Sequence, residues 1–233
     1  MARIKGPGSA IAYEYITKKI LSFEILAGET VSDSAIAQEL QLSRTLVREA
    51  MQRLIEDGLI VKEGVRMIAS PITEKDIQEI CQVREALENK AVALILKDGG
   101  LSEEQLRTLN DINSQMRVYV EDRNFEKNFS CDDLFHMTIL EFSKNGRLIE
   151  YFEKLRLQIA RARWLTVIQA GYTTALSEHQ AIIDALADRD LGAAQKAVNT
   201  HMENSERNFS GIFGDGNVQL ALSSLKSILP QVR

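Results

Sequence analysis

Apolar residues recur at helical spacing along almost the whole chain, and strand-like alternation is nearly absent. Ile11, Ile16, Ile20, Leu21 and Ile25 mark one face of a helix over 11–26, which Gly28 and the polar Glu29-Thr30 end. Ser32 is a suitable N-cap for a short helix to Leu40, with Ile36, Ala37 and Leu40 facing inward. Gln41-Leu42 makes a tight turn. Ser43 then caps a third helix to about Asp57 that buries Leu46, Val47, Ala50, Met51, Leu54 and Ile55. That phase leaves Arg44, Thr45 and Arg48 on the outer face near the helix start. Gly58 stops the helix. Leu59-Ile60-Val61 and Val65-Arg66-Met67-Ile68, joined through Lys62-Glu63-Gly64, read as two short strands about a glycine turn. Three helices and a hairpin make a winged helix-turn-helix, assigned to residues 1–70.

Ala69-Ser70-Pro71 breaks the pattern and serves as a linker to residues 71–233. From Thr73 the chain is helical. The spacing predicts a helix to about Lys97 with Ile77, Ile80, Val83, Leu87, Ala91 and Leu94 inward. A second opens on the capping box Ser102/Gln105 and runs to about Glu121. Others follow over 125–143, 148–167, 174–187 and 191–209, the last capped by Asp190. Residues 211–216 read as loop and 219–228 as a short terminal helix. The fold class is mainly α: a winged helix-turn-helix followed by a six- or seven-helix antiparallel bundle.

Composition narrows the picture. Of 233 residues, 45% are hydrophobic and 26% charged, a globular balance that can bury a core without disulfides. No apolar run reaches the roughly 18 residues of a membrane helix, and Met1-Ala-Arg-Ile-Lys-Gly-Pro is not signal-like. With only Cys81 and Cys131, a cytoplasmic location is expected. The net charge is −5, but residues 1–75 carry 10 Lys+Arg and 10 Asp+Glu while 76–233 carry 18 and 23. The acidity therefore belongs to the bundle, and the first domain is free to meet nucleic acid.

Two groups of residues could carry chemistry. Arg44 and Arg48 have the fork that reads guanine or grips phosphate, Thr45 lies between them, and Ser43 with the helix-start amides suits a phosphate oxygen. Lys62 and Arg66 flank Gly64 at the wing tip. The alternative is a solvated basic face. The three histidines, His136, His179 and His201, all lie in the helical half. Asp132 and His136 are four residues apart, about 40° apart on one helix face, and so could share a metal ion. Asp133 competes for the carboxylate role, and three unrelated histidines are the plainer alternative. No Gly-x-Ser-x-Gly elbow and no glycine-rich phosphate loop is present, so a nucleophilic triad or a nucleotide cofactor is a poor fit. Cys81 reads as core filler, and Cys131 beside Asp132 as buried rather than redox-active. Trp164 with Arg161 and Arg163 either lines a cavity or is helix surface.

Residues 11–68 resemble the winged helix of the GntR family of bacterial transcription regulators. The family pattern SRTPVREAL-x-RL-x-x-x-GL stands here as Ser43-Arg44-Thr45-Leu46-Val47-Arg48-Glu49-Ala50-Met51-Gln52-Arg53-Leu54-Ile55-Glu56-Asp57-Gly58-Leu59. Ala27-Gly28-Glu29 replaces the usual Pro-Gly-Glu, Leu46 replaces Pro, and Glu63-Gly64-Val65-Arg66 departs from the usual Gly-x-Gly wing. The helical half resembles the FadR-like subfamily and its FCD effector domain. The matching stretches are Arg84-Glu85-Ala86-Leu87-Glu88, Asp132-Asp133-Leu134-Phe135-His136, Glu178 to Leu186, and His201. In all, the resemblance covers about residues 11–205.

The resemblance implies Asp132, His136, His179 and His201 as metal ligands, selecting Asp132 over Asp133. A divalent transition metal ion (Zn, Ni, Mn or Fe) suits three imidazoles and a carboxylate with open positions. The implied protein is a cytoplasmic homodimeric regulator, a repressor of a palindromic double-stranded DNA operator. A small organic acid bound near the metal, with Arg84 on its carboxylate, is the expected effector. A metal-dependent enzyme using the same three-His/one-Asp site is the rival reading.

Overall fold

The structure is a computed structural model that describes residues 6–166 and 173–213. The chain divides into two compact units, one ending at Thr73 within the described residues and one beginning at Glu74.

In the first unit, α1 (Pro7–Leu21), α2 (Asp33–Leu40) and α3 (Arg44–Glu56) precede a hairpin of β1 (Ile60–Glu63) and β2 (Arg66–Ala69). Ser32 caps α2 by accepting from the Ala35 amide, and Ser43 caps α3 by accepting from the Leu46 amide at 3.4 Å. Gln41 turns the chain between them at φ 55. The hairpin is antiparallel with Ile60 opposite Ala69 and Glu63 opposite Arg66, so Gly64 and Val65 form its tip.

The first helix is displaced from the expected 11–26. Pro7 supplies its first turn, where a missing amide costs nothing. It ends at Leu21 because Phe23 turns left-handed at φ 55 and buries its ring. The buried stripe is Ser9, Ala12, Ile16 and Ile20, which leaves Ile11 exposed. Thr30 bridges to Ile68, and the Val31 amide bonds to the Met67 carbonyl. The hairpin thus gains a flanking extended segment that has no alternating pattern to announce it. Leu46 and Ile55 are half-buried, at the edges of α3's packed face. Leu46 lies over α1, where a Cβ on Gly8 would stand 2.8 Å from Leu46 Cδ1.

The second unit contains, among the described residues, α4 (Glu74–Lys97), α5 (Glu103–Glu121), α6 (Phe125–Phe142), α7 (Gly146–Thr166), α8 (Thr173–Ala187) and α9 (Leu191–Phe213). α4 packs on α6, α7 and α9, α5 on α6 and α8, and α8 on α9. The three-residue connections within the packed pairs α5–α6 and α8–α9 make those neighbours antiparallel. The Ser102/Gln105 capping box is present in both halves, and Asp190 caps α9 through the Ala193 amide. α9 continues to Phe213, four residues past its expected end, through Gly211. The core joins Ala91, Ile95, Leu109, Phe135, Ile139, Phe152, Ile182 and Val198 from all six helices. The expected terminal helix 219–228 lies outside the described residues.

α4 is rotated relative to its sequence reading. Its buried positions are Ile77, Cys81, Arg84, Glu88, Ala91, Val92 and Ile95, whereas Val83 is 45% exposed. Ile80, Leu87 and Leu94 pack at the margin of the core. Two charged residues occupy the central face because they have partners inside the bundle.

Candidate metal centre and DNA-reading helix

His136 on α6, His179 on α8 and His201 on α9 converge inside the bundle. One ring nitrogen of each lies within 4.8 Å of the others, and all three rings are buried. Their ring centroids are 4.9–5.0 Å apart. Phe135 stacks on His179 at 4.2 Å and closes one side with a carbon face. Asp132 stands one helical turn before His136. Its carboxylate oxygens lie 3.5 Å from His136 Nε2 and 3.6 Å from His179 Nε2. Asp133 instead pairs with Arg156 of α7.

Two of the three rings are held from behind by a carboxylate. His136 Nδ1 is 2.8 Å from Glu88 Oε2, and His201 Nδ1 is 2.7 Å from Glu178 Oε2. Those acids are held in turn. Arg84 donates from Nε and Nη2 to Glu88 Oε1, and Asn204 donates to Glu178 Oε1. The carboxylate fixes the tautomer with the proton on Nδ1, which turns an Nε2 lone pair inward on each ring. His136 Nε2 and His201 Nε2 are buried with no hydrogen-bond partner. Burial, followed by the Arg84 charge, holds the His136 imidazolium far below its ordinary range despite Asp132, so the ring is neutral and able to donate its lone pair. Inward ring nitrogens without a hydrogen bond, beside a carboxylate, fit a divalent cation; merely structural histidines would leave those atoms unsatisfied.

In the first unit, Arg44, Thr45 and Arg48 are exposed along the start of α3. Both arginines converge on Asp33 of α2. Arg44 Nη2 is 3.1 Å from each carboxylate oxygen, and Arg48 Nε is 2.5 Å from Oδ2. Burial would raise the Asp33 carboxyl, but the Arg48 and Arg44 bonds outweigh it and hold the group below its ordinary value. At the hairpin, Lys62 is exposed, Gly64 adopts φ 61, and Arg66 pairs with Glu63. A positive φ is what a two-residue tip requires, and glycine adopts it without strain.

Residues 9–66 match the model of the bacterial regulatory proteins of the gntR family, and residues 79–204, more than half of the chain, match the FCD domain. The chain belongs to the GntR family of FCD-containing regulators. It is 26% identical over 215 residues to the uncharacterized HTH-type transcriptional regulator YdhC of Bacillus subtilis, covering 88% of this chain and 92% of that one. It is 24% identical to the Escherichia coli HTH-type transcriptional repressor RspR over 82% of this chain and 84% of RspR. The gluconate operon transcriptional repressor of B. subtilis is 28% identical over 78% of this chain and 76% of its own. E. coli McbR/YncC shares the fold at a TM-score of 0.72 and 19% identity, over 91% of this chain and 100% of that chain. This regulator is therefore a DNA-binding transcriptional regulator whose FCD domain is its ligand-responsive half.

Sequence reasoning missed Glu88 and Glu178. Glu88 had a usable signal, since Cys81, Glu88 and Ile95 share one face at seven-residue spacing. Glu178 had none: it precedes His179 in the chain but bonds His201 of the next helix. Cys81 is buried, and burial followed by Asp132 raises the Cys131 thiol, which argues against a reactive thiolate. Arg161 is buried, not surface, and the Arg163 and Trp164 side chains lie outside the described residues. Among the described residues, no helix is long and apolar enough to cross a membrane.

Proposed function

We propose that this regulator is a cytoplasmic repressor. Its affinity for a palindromic operator is set by a small organic acid bound beside a divalent transition metal ion. Asp132, His136, His179 and His201 would hold the ion. The observation that carries this is the pair of buried Nε2 atoms on His136 and His201 that make no hydrogen bond, each on a ring anchored from behind by a glutamate. A four-ligand site of this kind supplies a Lewis acid with open positions for a carboxylate oxygen. Zn, Ni, Mn and Fe all accept imidazole, so the residues favour none of them.

Arg84 engages Glu88 through Nε and Nη2, while Nη1 takes no part in those bonds. It is the proposed link between the metal shell and the acid's carboxylate. On the DNA side, Arg44 and Arg48 read base edges or phosphate, with Ser43 and Thr45 at the helix start. Lys62, Gly64 and Arg66 meet the backbone at the wing. Both arginines pair with Asp33 of α2, and a DNA contact would compete with that pairing. One recognition helix spans a half-site, so the acting species is a homodimer. Effector binding favours the state with lower operator affinity.

The relatives named above are all regulators, which supports binding rather than turnover. Elemental analysis of protein purified without added metal tests the reading. About one ion per chain is expected, lost in the His136→Ala/His179→Ala double variant. Metal-free protein that is indifferent to chelator would overturn it.

A further inference from the structure

Arg161 of α7 is 2% exposed, yet Nε and Nη2 of its guanidinium have no hydrogen-bond partner. A second arginine in the same unit provides the contrast. Arg84 is as deeply buried, at 3%, but Glu88 neutralises it. Arg156, one and a half turns before Arg161 on α7, has Asp133. Among the described residues, no acid serves Arg161. Burial alone pushes its guanidinium down to about 10, with no carboxylate near enough to hold it up.

Arg161 does not share the helical phase of the core-facing residues of α7. The apolar stripe of α7 runs Leu148, Phe152, Leu155 and Ile159. Two residues beyond Ile159 is roughly 160° around the helix from that stripe. A buried cation with unused donors is costly unless an opposite charge and hydrogen-bond acceptors meet it.

We propose that Arg161 anchors an anion site in the helical unit, receiving a carboxylate or phosphate group through its guanidinium fork. The planar donors match two oxygens of such a group. The proposal rests on reading this unit as the effector domain, but it does not require the metal. It assigns the effector's charge to a second arginine besides Arg84.

Thermal unfolding of the full chain in acetate and in inorganic phosphate, each against chloride at equal ionic strength, tests it. At ten times the dissociation constant, at least one anion should raise the wild-type Tm by about 3–5 °C. A response to acetate alone assigns a carboxylate, and to phosphate alone a phosphate ester. Arg161→Met should abolish the response, and Arg161→Lys should weaken binding about tenfold by losing the fork. No wild-type response to either anion, or the same response in Arg161→Met, would overturn the proposal. Should Arg161→Met fail to fold, the Nε–H resonance of Arg161 in the wild-type protein replaces it. A saturable shift on titration supports the site, and an unmoved resonance overturns it. Metal content is measured on the same samples. Metal retained without an Arg161-dependent response sinks this site and spares the metal centre. An Arg161-dependent response in protein without metal does the reverse.

Discussion

Glu88 and Glu178 bear on the proposed metal centre only through His136 and His201, to which they bond, and this makes their contribution separable. Glu88→Gln preserves shape but loses the charge that raises the basicity of His136. It should weaken metal affinity by about 10–100-fold while the unit stays folded, as titration with a competing chelator would show. His136 also gives a pH dependence. Its folded value lies well below the ordinary 6.5, so the unfolded chain takes the proton more readily. The stabilisation is complete above about pH 6.5 and is lost as pH falls below it. Metal-free protein should therefore lose Tm on acidification from pH 7 to 5, and a flat profile would mean that His136 is not buried neutral. At the DNA-reading helix, Arg48→Ala should weaken operator binding by about 1–3 kcal/mol if it contacts a base, measured by fluorescence anisotropy. Unchanged affinity would remove it from the interface.

Helix starts were legible from sequence because a cap spans only three residues. Ser32, Ser43 and Ser102 each cap the helix expected of them. Ser43→Ala should cost about 1 kcal/mol in chemical denaturation of the first unit. Helix faces were less legible. On α4 the expected inward residues Ile77 and Ala91 are buried, but the buried face is turned from Ile80, Val83 and Leu87 toward Arg84 and Glu88. Apolar periodicity treats a charged residue as solvent-facing, and it cannot register an ion pair completed by a neighbouring helix. The end of α1 escaped for a related reason. Ile25 kept the helical spacing, but burying the Phe23 ring in a left-handed turn won.

At the scale of the molecule, the histidine cluster joins α6, α8 and α9, with α4 behind it through Glu88. Removing an ion that binds only the folded state must lower stability. Chelation should reduce the Tm by several degrees and restore it on adding metal, whereas a scan unaffected by chelator would separate the histidine cluster from any structural role. Sedimentation should give twice the chain mass, with operator DNA bound per dimer. A monomer that binds the whole palindrome tightly would refute the dimeric reading.

By itself the sequence determined the helical elements, their caps, the hairpin and the family, because each rests on residues close together along the chain or on a long contiguous pattern. Tertiary structure decided which atoms meet. Asp132 and Asp133 are equally available one turn from His136, and only the packing of α7 takes Asp133 to Arg156 and leaves Asp132 at the histidines. The glutamates behind the rings and the unpaired Arg161 are likewise decisions of helix-on-helix packing. The physical reason is the same throughout. Local hydrogen bonds are fixed by spacing, but the cost of a buried charge depends on partners that folding brings from distant parts of the chain.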